Sequence, residues 1–378
     1  MSSGELLETL VIGAGPSGLA VAGALKALGH TATIVDAAAE VGSVWRTHYD
    51  RLHLHTVKKH SNLPGLPYSP DTPKYVPRAT FVEYLEGYVA HYALAPRLGV
   101  AVAAVERTPQ GYRVETSAGP MNVRNVVYAT GYNRAPHVPE WPDQSEFAGR
   151  IIHSRDYRNG APFAGEQVLV VGIGNTGGEI AIDLWEHGAQ PSICVRSPVH
   201  VVPREFLGRS AQESSILLSH LPEQVVSRVS RWIERLILPD LSDLGLERPA
   251  VSVREQVIEQ GKIPLIDIGT IDLIRQGMIG VVPGIERFSR NGVHVTDGRE
   301  ILCQSVILAT GYRPALGDIV PQDAGILDAG GYPRVHGNHD PAWPGLFFVG
   351  FANPITGALR EAALEAQRIA RVIHGRKA

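Results

Sequence analysis

Cysteine is scarce in this chain of 378 residues, which contains only Cys194 and Cys303. Each lies in an apolar run that predicts a strand, so we expect two buried free thiols. The count excludes a disulfide framework, and the spacing excludes a Cys-x-x-Cys redox centre.

Long apolar runs and a strong net charge are also missing. No uninterrupted apolar run approaches the roughly 20 residues that span a bilayer, and the N-terminal residues are acidic where a secretory signal would be basic. The net charge of −3 offers no electrostatic footprint for nucleic acid. These absences predict a cytoplasmic protein with a small-molecule partner, no membrane span and no nucleic-acid partner.

The N-terminal region carries a complete nucleotide-binding pattern. An apolar strand runs into Gly13, Gly15 and Gly18, a helical pattern follows, and a second strand ends on Asp36. In such a unit the glycines let a pyrophosphate approach the helix N-terminus, and the acid accepts hydrogen bonds from ribose hydroxyls. The carboxylate favours FAD at this site.

The same pattern returns in the middle of the chain. A strand runs into Gly172, Gly174 and Gly177, and the second strand of this copy leads to Arg196. A guanidinium suits a 2′-phosphate, which favours NADPH at the second site. The alternative for Arg196 is a solvated charge at a strand end.

Each copy precedes a similar meander. Glu106 stands 23 residues before the Ala-Thr-Gly-Tyr of 129–132, and Glu286 stands 23 residues before that of 309–312. The length of the chain also suits two domains. We therefore expect an α/β protein with two Rossmann-like dinucleotide-binding domains, the NADPH domain inserted into the FAD domain.

The predicted boundaries follow from this plan. The FAD domain is expected at 1–150 and 300–378, completed by the final strand and helix. The NADPH domain is expected at 151–299, with a helical insertion at about 210–260. Within it, residues 222–238 form an amphipathic pattern that suits core packing or a tunnel cover, or attachment to a membrane surface.

Residues 147–157 fit the Phe-x-Gly-x-x-x-His-x-x-x-Tyr fingerprint of the flavin-containing monooxygenases, so the chain resembles that family. Tyr157 stands where typical Baeyer–Villiger members have Trp. The stretches 49–55, 195–205 and 264–269 are similar to the plant YUCCA-type flavin monooxygenases, which convert indole-3-pyruvate to indole-3-acetate. Ser43 and the stretch 132–134 depart from the plant pattern.

The resemblance implies a cycle in which NADPH reduces FAD, O2 forms a flavin C4a-(hydro)peroxide, and a small organic substrate is oxygenated. An aromatic 2-oxo acid such as indole-3-pyruvate would be oxidatively decarboxylated. Oxygenation of amines or sulfides, a flavin NADPH oxidoreductase without oxygenation, and a non-catalytic FAD-binding sensor are the alternatives. A homo-oligomer is compatible with the sequence.

The resemblance also implies site residues. His55 falls where many relatives have an Asn above the flavin. Asn175 falls in the second glycine turn, where it would hydrogen-bond near the flavin peroxide; the alternative is a turn residue in left-handed conformation. A metal held by His55 and its histidine neighbours is disfavoured, and no metal is expected. Arg78 would bind a substrate carboxylate or serve packing. The remaining cofactor contacts are assigned to Trp45, Arg46, Thr130, Gly131, Ser197, Thr310, Gly311 and Gly357.

Overall fold

The computed structural model describes residues 6–206, 208–218, 234, 238, 240–321 and 325–376, without the side chains of 258–260. The amphipathic segment predicted at 222–238 lies almost wholly outside these residues. None of the helices in the described part is long and apolar enough to cross a membrane.

The strands of the described residues follow in chain order. They are β1 (Leu6–Ile12), β2 (Thr33–Asp36), β3 (His53–Val57), β4 (Tyr75–Pro77), β5 (Arg97–Leu98), β6 (Val102–Thr108), β7 (Gly111–Thr116), β8 (Met121–Tyr128), β9 (Ala135–Pro136), β10 (Arg150–His153), β11 (Gln167–Val171) and β12 (Gln190–Cys194). The rest are β13 (Val201–Pro203), β14 (Glu205–Phe206), β15 (Arg209–Ser210), β16 (Leu265–Asp267), β17 (Gly280–Val282), β18 (Ile285–Ser289), β19 (Gly292–Val295), β20 (Glu300–Leu302), β21 (Ser305–Leu308), β22 (Tyr312–Arg313) and β23 (Leu346–Phe348).

The described α-helices are fewer. They are α1 (Pro16–Ala27), α2 (Ser43–Thr47), α3 (Arg78–His91), α4 (Asn175–Glu186), α5 (Ala211–Leu218), α6 (Val253–Gln260), α7 (Thr270–Arg275) and α8 (Ala358–Gly375). Of these, α5 and α6 lie in the stretch where a helical insertion was predicted. Ser252 and Glu255 form a capping box at the start of α6.

The chain divides into two compact units. Unit 1 comprises the chain up to Arg46, Thr56–Ala135 and the chain from Tyr312 onward, and unit 2 comprises Thr47–His55 and Pro136–Gly311. Unit 2 thus extends beyond the predicted limits of 151 and 299, because residues 136–149 and the strands β20 and β21 belong to it. The short segment 47–55, placed in the first domain by the sequence, also belongs to unit 2.

Unit 1 is built on a mixed sheet. Its parallel strands follow the order β5-β2-β1-β8-β23, and β8 continues through an antiparallel meander to β7 and β6. Alternating apolar residues on these strands form one buried core that includes Leu10, Val126 and Phe348. The helix α8 packs its small and branched residues inward, with Ala366 and Ile369 fully buried.

Unit 2 repeats this plan. Five parallel strands follow the order β17-β12-β11-β21-β10, and the meander β18-β19-β20 precedes β21. In unit 1 the meander and the parallel ladder share the single strand β8, whereas here Cys303 and Gln304 separate β20 from β21. The two units confirm the predicted pair of Rossmann-like folds.

Candidate functional site

The first glycine turn joins β1 to α1. A Cβ at Gly13, where φ is +115°, would lie 2.6 Å from the Ala129 carbonyl oxygen, and a Cβ at Gly18 would lie 1.9 Å from that of Gly13. These two positions exclude any side chain. By contrast, a Cβ at Gly15 would meet no atom within 4 Å. Gly15 caps α1 without a side-chain hydrogen bond, so backbone N–H groups of the first turn remain available to an anion.

The second glycine turn, between β11 and α4, has the same geometry. Gly172 has φ of +110° and its Cβ would lie 2.7 Å from the Ala309 carbonyl oxygen, while a Cβ at Gly177 would lie 1.9 Å from that of Gly172. The space around Gly174 is open, and no side chain caps α4 there. Both turns therefore fit a pyrophosphate, with close backbone packing below it and open space above.

The Ala-Thr-Gly segments lie directly beside these turns, because β8 pairs with β1 and β21 pairs with β11. Gly131 and Gly311 both have positive φ, +72° and +83°. The hydroxyls differ: Thr310 donates to the His137 carbonyl oxygen, whereas the Thr130 hydroxyl is buried without a partner among the described residues. An unsatisfied buried hydroxyl beside the first turn is consistent with a ligand there.

The residues that end the second strands differ as predicted. Asp36 accepts hydrogen bonds from Ala14 N at 2.6 Å and Ala38 N at 2.8 Å, so its carboxylate closes the first turn and keeps further lone pairs for a ribose hydroxyl. Arg196 and Ser197 are exposed just beyond β12. No carboxylate in the described ranges pairs with Arg196, which leaves its guanidinium accessible to a phosphate.

The fingerprint residues serve the packing of unit 2. Phe147 packs against Phe288 in an edge-to-face contact with ring centroids 5.5 Å apart. A Cβ at Gly149 would lie 2.3 Å from the Gln304 carbonyl oxygen, so only glycine allows β10 to approach at that point. These positions attach β10 to the sheet rather than contribute reactive groups.

His153 in the same fingerprint supports the second Ala-Thr-Gly segment. Its Nε2–H donates to the Gly311 carbonyl oxygen at 3.1 Å, and its Nδ1 accepts from Arg155 N at 3.1 Å. This pattern requires the neutral imidazole, and burial lowers its pKa. His153 therefore positions the Gly311 turn.

Tyr157, the last residue of the fingerprint, makes a buried hydrogen bond. Its hydroxyl donates to Asp183 Oδ2 at 2.6 Å, and both residues are almost completely buried. Burial, followed by the hydrogen bond with the Asp183 carboxylate, raises the pKa of Tyr157. The phenol therefore remains a donor throughout the physiological pH range.

The segment 47–55, here called the strap, is attached to unit 2 by hydrogen bonds and an ion pair. Asp50 N donates to the Arg158 carbonyl oxygen at 2.8 Å, and the Asp50 carboxylate accepts from Asn159 Nδ2 at 2.9 Å. Arg51 pairs with Glu186 of α4 at 3.0 Å. These contacts explain why the strap belongs to unit 2, although its position in the sequence predicted that it lies in the FAD domain.

His55, at the end of the strap, meets a buried acid. Its Nε2 lies 2.9 Å from Glu179 Oε1, and the Glu179 side chain is only 3% exposed. The atoms are at ion-pair distance without hydrogen-bond alignment. Both His55 Nδ1 and Glu179 Oε1 are buried without a hydrogen-bond partner in the described part of the chain.

Asn175 contacts β16 from the start of α4. It is the first residue of α4 and is absent from the non-glycine residues with positive φ. Its Oδ1 accepts from Ile266 N at 2.7 Å and so attaches β16 to the helix. A left-handed turn conformation is therefore wrong. A contact of Asn175 with the reacting groups stays a prediction.

Trp45, Arg46 and Arg78 are close together in unit 1. Trp45 packs edge-to-face on Phe81 with ring centroids 4.5 Å apart, and the Arg46 guanidinium pairs with the Glu86 carboxylate. Arg78, at the start of α3, donates Nη1 to the Arg46 carbonyl oxygen at 2.7 Å and holds α2 against α3. The structure thus shows the packing role of Arg78, and its contact with a substrate carboxylate stays a prediction.

The helix α8 begins where the sequence predicted, directly after Gly357, which has φ of +102°. Glu361 N donates to the Gly357 carbonyl oxygen, and the Thr356 hydroxyl donates to Glu361 Oε1 at 2.9 Å. The first turn of the helix is ordered by these contacts. The contact of Gly357 with the cofactor stays a prediction.

Both thiols are buried and free, as predicted. Burial raises the pKa of Cys194 to about 11 and that of Cys303 to about 12. Neither residue supplies a thiolate near neutral pH, which disfavours dithiol chemistry.

Comparison with known proteins decides the family. The pyridine nucleotide-disulphide oxidoreductase family matches residues 10–205. Indole-3-pyruvate monooxygenase YUCCA1 of Oryza sativa subsp. japonica is 39% identical over 371 residues, 97% of this chain and 91% of the relative. Probable indole-3-pyruvate monooxygenase YUCCA3 of Arabidopsis thaliana is 36% identical over 380 residues, 97% of this chain and 86% of the relative.

The chain belongs to the YUCCA-type flavin monooxygenases. It is an NADPH-dependent flavin monooxygenase. The solved flavin-containing monooxygenase from Stenotrophomonas maltophilia agrees, with a TM-score of 0.73 at 25% identity over 99% of this chain and 100% of that structure. A cyclohexanone-bound cyclohexanone monooxygenase shares the fold, with a TM-score of 0.72 at 19% identity over 99% of this chain and 87% of that one.

Two buried acids of this monooxygenase were missed by the sequence reasoning. Asn175, Glu179 and Asp183 recur every four residues along α4 and lie on one face of the helix. Each side chain meets a different segment: β16, the strap and the fingerprint tyrosine. The sequence feature that could have revealed the two acids is this row of polar residues in a helix whose other positions are largely apolar and buried.

Proposed function

We propose that this flavin monooxygenase oxygenates an aromatic 2-oxo acid such as indole-3-pyruvate and releases CO2 and the acid one carbon shorter. The observation that carries the proposal is the 39% identity with a protein named indole-3-pyruvate monooxygenase across 97% of the chain. The histidine at position 55 supports it, because the resemblance to the plant type includes that position. A cytoplasmic location and a homo-oligomer stay predictions.

The cofactors are assigned by the two glycine turns. Unit 1 would hold FAD, with its pyrophosphate over Gly15 and a ribose at Asp36. Unit 2 would hold NADPH, with its pyrophosphate over Gly174 and its 2′-phosphate at Arg196. When bound, FAD would supply the oxygen chemistry expected of the family and NADPH would supply the hydride.

The chain itself supplies position and proton control. The backbone amides at the two helix N-termini bind and orient the cofactors, and the buried fingerprint contacts keep the second turn in shape. His55 would hold or release a proton at the reacting centre, which the Asn of other relatives cannot do. Ketones require a nucleophilic oxygenating species, whereas amines and sulfides require an electrophilic one, so proton control would decide the substrate class.

The substrate assignment predicts a clear result in a panel assay. Indole-3-pyruvate and phenylpyruvate should each yield the acid one carbon shorter, with CO2, NADPH oxidation and O2 uptake in equal amounts. A tertiary amine and an aryl sulfide should yield at most a minor product under the same conditions. If only the amine or the sulfide is oxygenated, the chain is a heteroatom monooxygenase and the 2-oxo acid proposal fails.

The same preparation separates a monooxygenase from a reductase or a sensor. Anaerobically reduced enzyme with NADP⁺, mixed with O2, should form a near-ultraviolet adduct before the oxidised flavin spectrum returns. Direct reoxidation with H2O2 release, with and without NADP⁺, would indicate a non-oxygenating oxidoreductase. A protein that binds FAD but neither oxidises NADPH nor consumes O2 would be a sensor.

The coenzyme assignment predicts a preference for NADPH over NADH. A charge-assisted contact contributes about 1.5–3 kcal/mol, so kcat/KM should favour NADPH by roughly ten- to a hundredfold. Arg196→Ala should erase most of this preference by weakening NADPH alone. Arg275→Ala, which removes another exposed arginine of unit 2, is the control and should leave the ratio unchanged. Equal kcat/KM for both coenzymes in the unmutated enzyme contradicts the assignment.

A further inference from the structure

We propose that Glu179 is the positioning residue of His55, so that the two side chains act as one proton-holding pair inside unit 2. The proposal rests on the function proposed above, in which His55 acts at the reacting centre. The pair joins the strap to α4, and its members stand far apart in the sequence. Nothing in the glycine motifs or in the fingerprint connects them.

The burial of Glu179 is the first observation. A carboxylate that is 3% exposed loses its hydration and requires compensation by a neighbouring cation or donor. His55 Nε2, at 2.9 Å, is the group that the structure places there. An ionised carboxylate only accepts hydrogen bonds, so the pair as proposed carries a proton on Nε2.

The unsatisfied Nδ1 of His55 is the second observation. With the proton of the neutral ring on Nε2, Nδ1 has a free lone pair, and this atom is buried without a partner among the described residues. A proton taken up at Nδ1 gives an imidazolium, whose charge the Glu179 carboxylate balances. The same proton leaves Nδ1 when the reacting group takes it back, so the step consumes no oxidant or reductant.

Asp183 shows what a purely structural acid looks like on the same helix. It lies one turn beyond Glu179 and is equally buried, but its carboxylate accepts a hydrogen bond of 2.6 Å from the Tyr157 hydroxyl. Asp183 Oδ1 also lies 3.6 Å from Nδ1 of the exposed His187 ring, but that nitrogen is hydrogen-bonded to the Asp183 carbonyl oxygen. Glu179 Oε1, by contrast, has no hydrogen bond among the described residues and lies 2.9 Å from His55 Nε2. Orientation of the imidazole, rather than stabilisation of α4, is therefore the role that the geometry assigns to Glu179.

The first test reads the ring directly, without turnover. Histidine labelled with ¹⁵N in the imidazole would be incorporated into the FAD-loaded enzyme, and the His55 signals would be identified by their loss in His55→Asn. In the neutral state the spectrum should show a protonated Nε2 and a bare Nδ1. In Glu179→Gln this tautomer should lose its dominance. A neutral ring protonated at Nδ1 in the unmutated enzyme overturns the proposal.

The second test measures coupling. Glu179→Gln should lower kcat for the oxygenated substrate by about a hundredfold, with flavin content and KM for NADPH unchanged. Because the two residues act as a unit, the double variant with His55→Asn should be no slower than His55→Asn alone. Asp183→Asn is the matched control: it should lower stability, and its effect should multiply with that of His55→Asn.

The outcomes separate this inference from the proposed function. If the panel of substrates yields no oxygenated product but the ¹⁵N tautomer depends on Glu179, the proposed function fails and the pair stands. If oxygenation is observed but Glu179→Gln and His55→Asn multiply, the pair fails and the function stands. A Glu179→Gln enzyme with unchanged tautomer and unchanged kcat also overturns the pair.

Discussion

Gly15→Ala is expected to remove FAD from the protein without unfolding it. The backbone at Gly15 has φ of −82° and ψ of −177°, which alanine adopts freely, and a Cβ there would meet no atom within 4 Å. The new methyl group would occupy the space above the helix N-terminus that the pyrophosphate needs. Bound flavin, measured by absorbance after gel filtration, should fall below roughly a tenth of the unmutated content, a loss of at least about 1.4 kcal/mol.

Gly174→Ala is the matched variant in the second turn. Its backbone is equally permissive and its surroundings equally open. Flavin content should be normal, whereas KM for NADPH should rise at least roughly tenfold, which corresponds to about 1.4 kcal/mol. The two substitutions together test which unit binds which cofactor. The reverse pattern, with FAD lost in Gly174→Ala, would exchange the two assignments.

The controls are the glycines at which a side chain meets backbone. Gly18→Ala and Gly177→Ala each place a Cβ 1.9 Å from a carbonyl oxygen, so the turn must distort and stability should fall by about 3 kcal/mol. Gly15→Ala should change the unfolding free energy of the cofactor-free protein by no more than about 0.5 kcal/mol. Full flavin retention in Gly15→Ala would contradict the predicted site.

Tyr157→Phe is expected to destabilise the protein by about 2–4 kcal/mol in urea unfolding. The change deletes the hydrogen bond to the buried Asp183 carboxylate, and the longer approach of His187 Nδ1 to Asp183 Oδ1, 3.6 Å, does not replace it. Unit 2 should unfold at lower urea concentration, as followed by circular dichroism. Cofactor contacts are not part of this argument, so the loss should be present in the cofactor-free protein.

The double variant Tyr157→Phe with Asp183→Asn separates the buried charge from packing. Asparagine is neutral and nearly isosteric, so much of the lost stability should return if an unpaired carboxylate causes the loss. No recovery would show that an unpaired charge on Asp183 is not the cause of the loss. If Tyr157→Phe alone leaves the urea midpoint of unfolding unchanged, the structural role proposed for Tyr157 is refuted.

Much of the architecture was predictable from local patterns. The strand β2 ends on Asp36 as predicted, and the final strand and helix complete unit 1 as predicted. The repeated spacing from Glu106 and Glu286 to the Ala-Thr-Gly segments marks equivalent meanders, each followed by a parallel pair of strands. Periodicity and glycine positions carry such information because they reflect neighbours within one supersecondary unit.

The boundaries of the two units were harder to predict from the sequence. The strap and residues 136–150 belong to unit 2. The Asp50 contacts, the hydrogen bond from Phe288 N to the Pro142 carbonyl oxygen and the pairing of β10 with β21 all join residues more than a hundred positions apart. A composition change at a boundary would have marked them, but the sequence shows none. Strand pairing, not chain order, decided the boundary.

The sequence by itself determined the two nucleotide turns, the choice between an acid and an arginine after them, and the family. Each depends on a few consecutive residues whose backbone needs, such as the close approaches at Gly18 and Gly177, are local. Only the tertiary structure decided that Glu179 meets His55 and that Asp183 meets Tyr157. A buried acid can be satisfied by any donor that the fold brings to it, and the residue type alone does not specify which one.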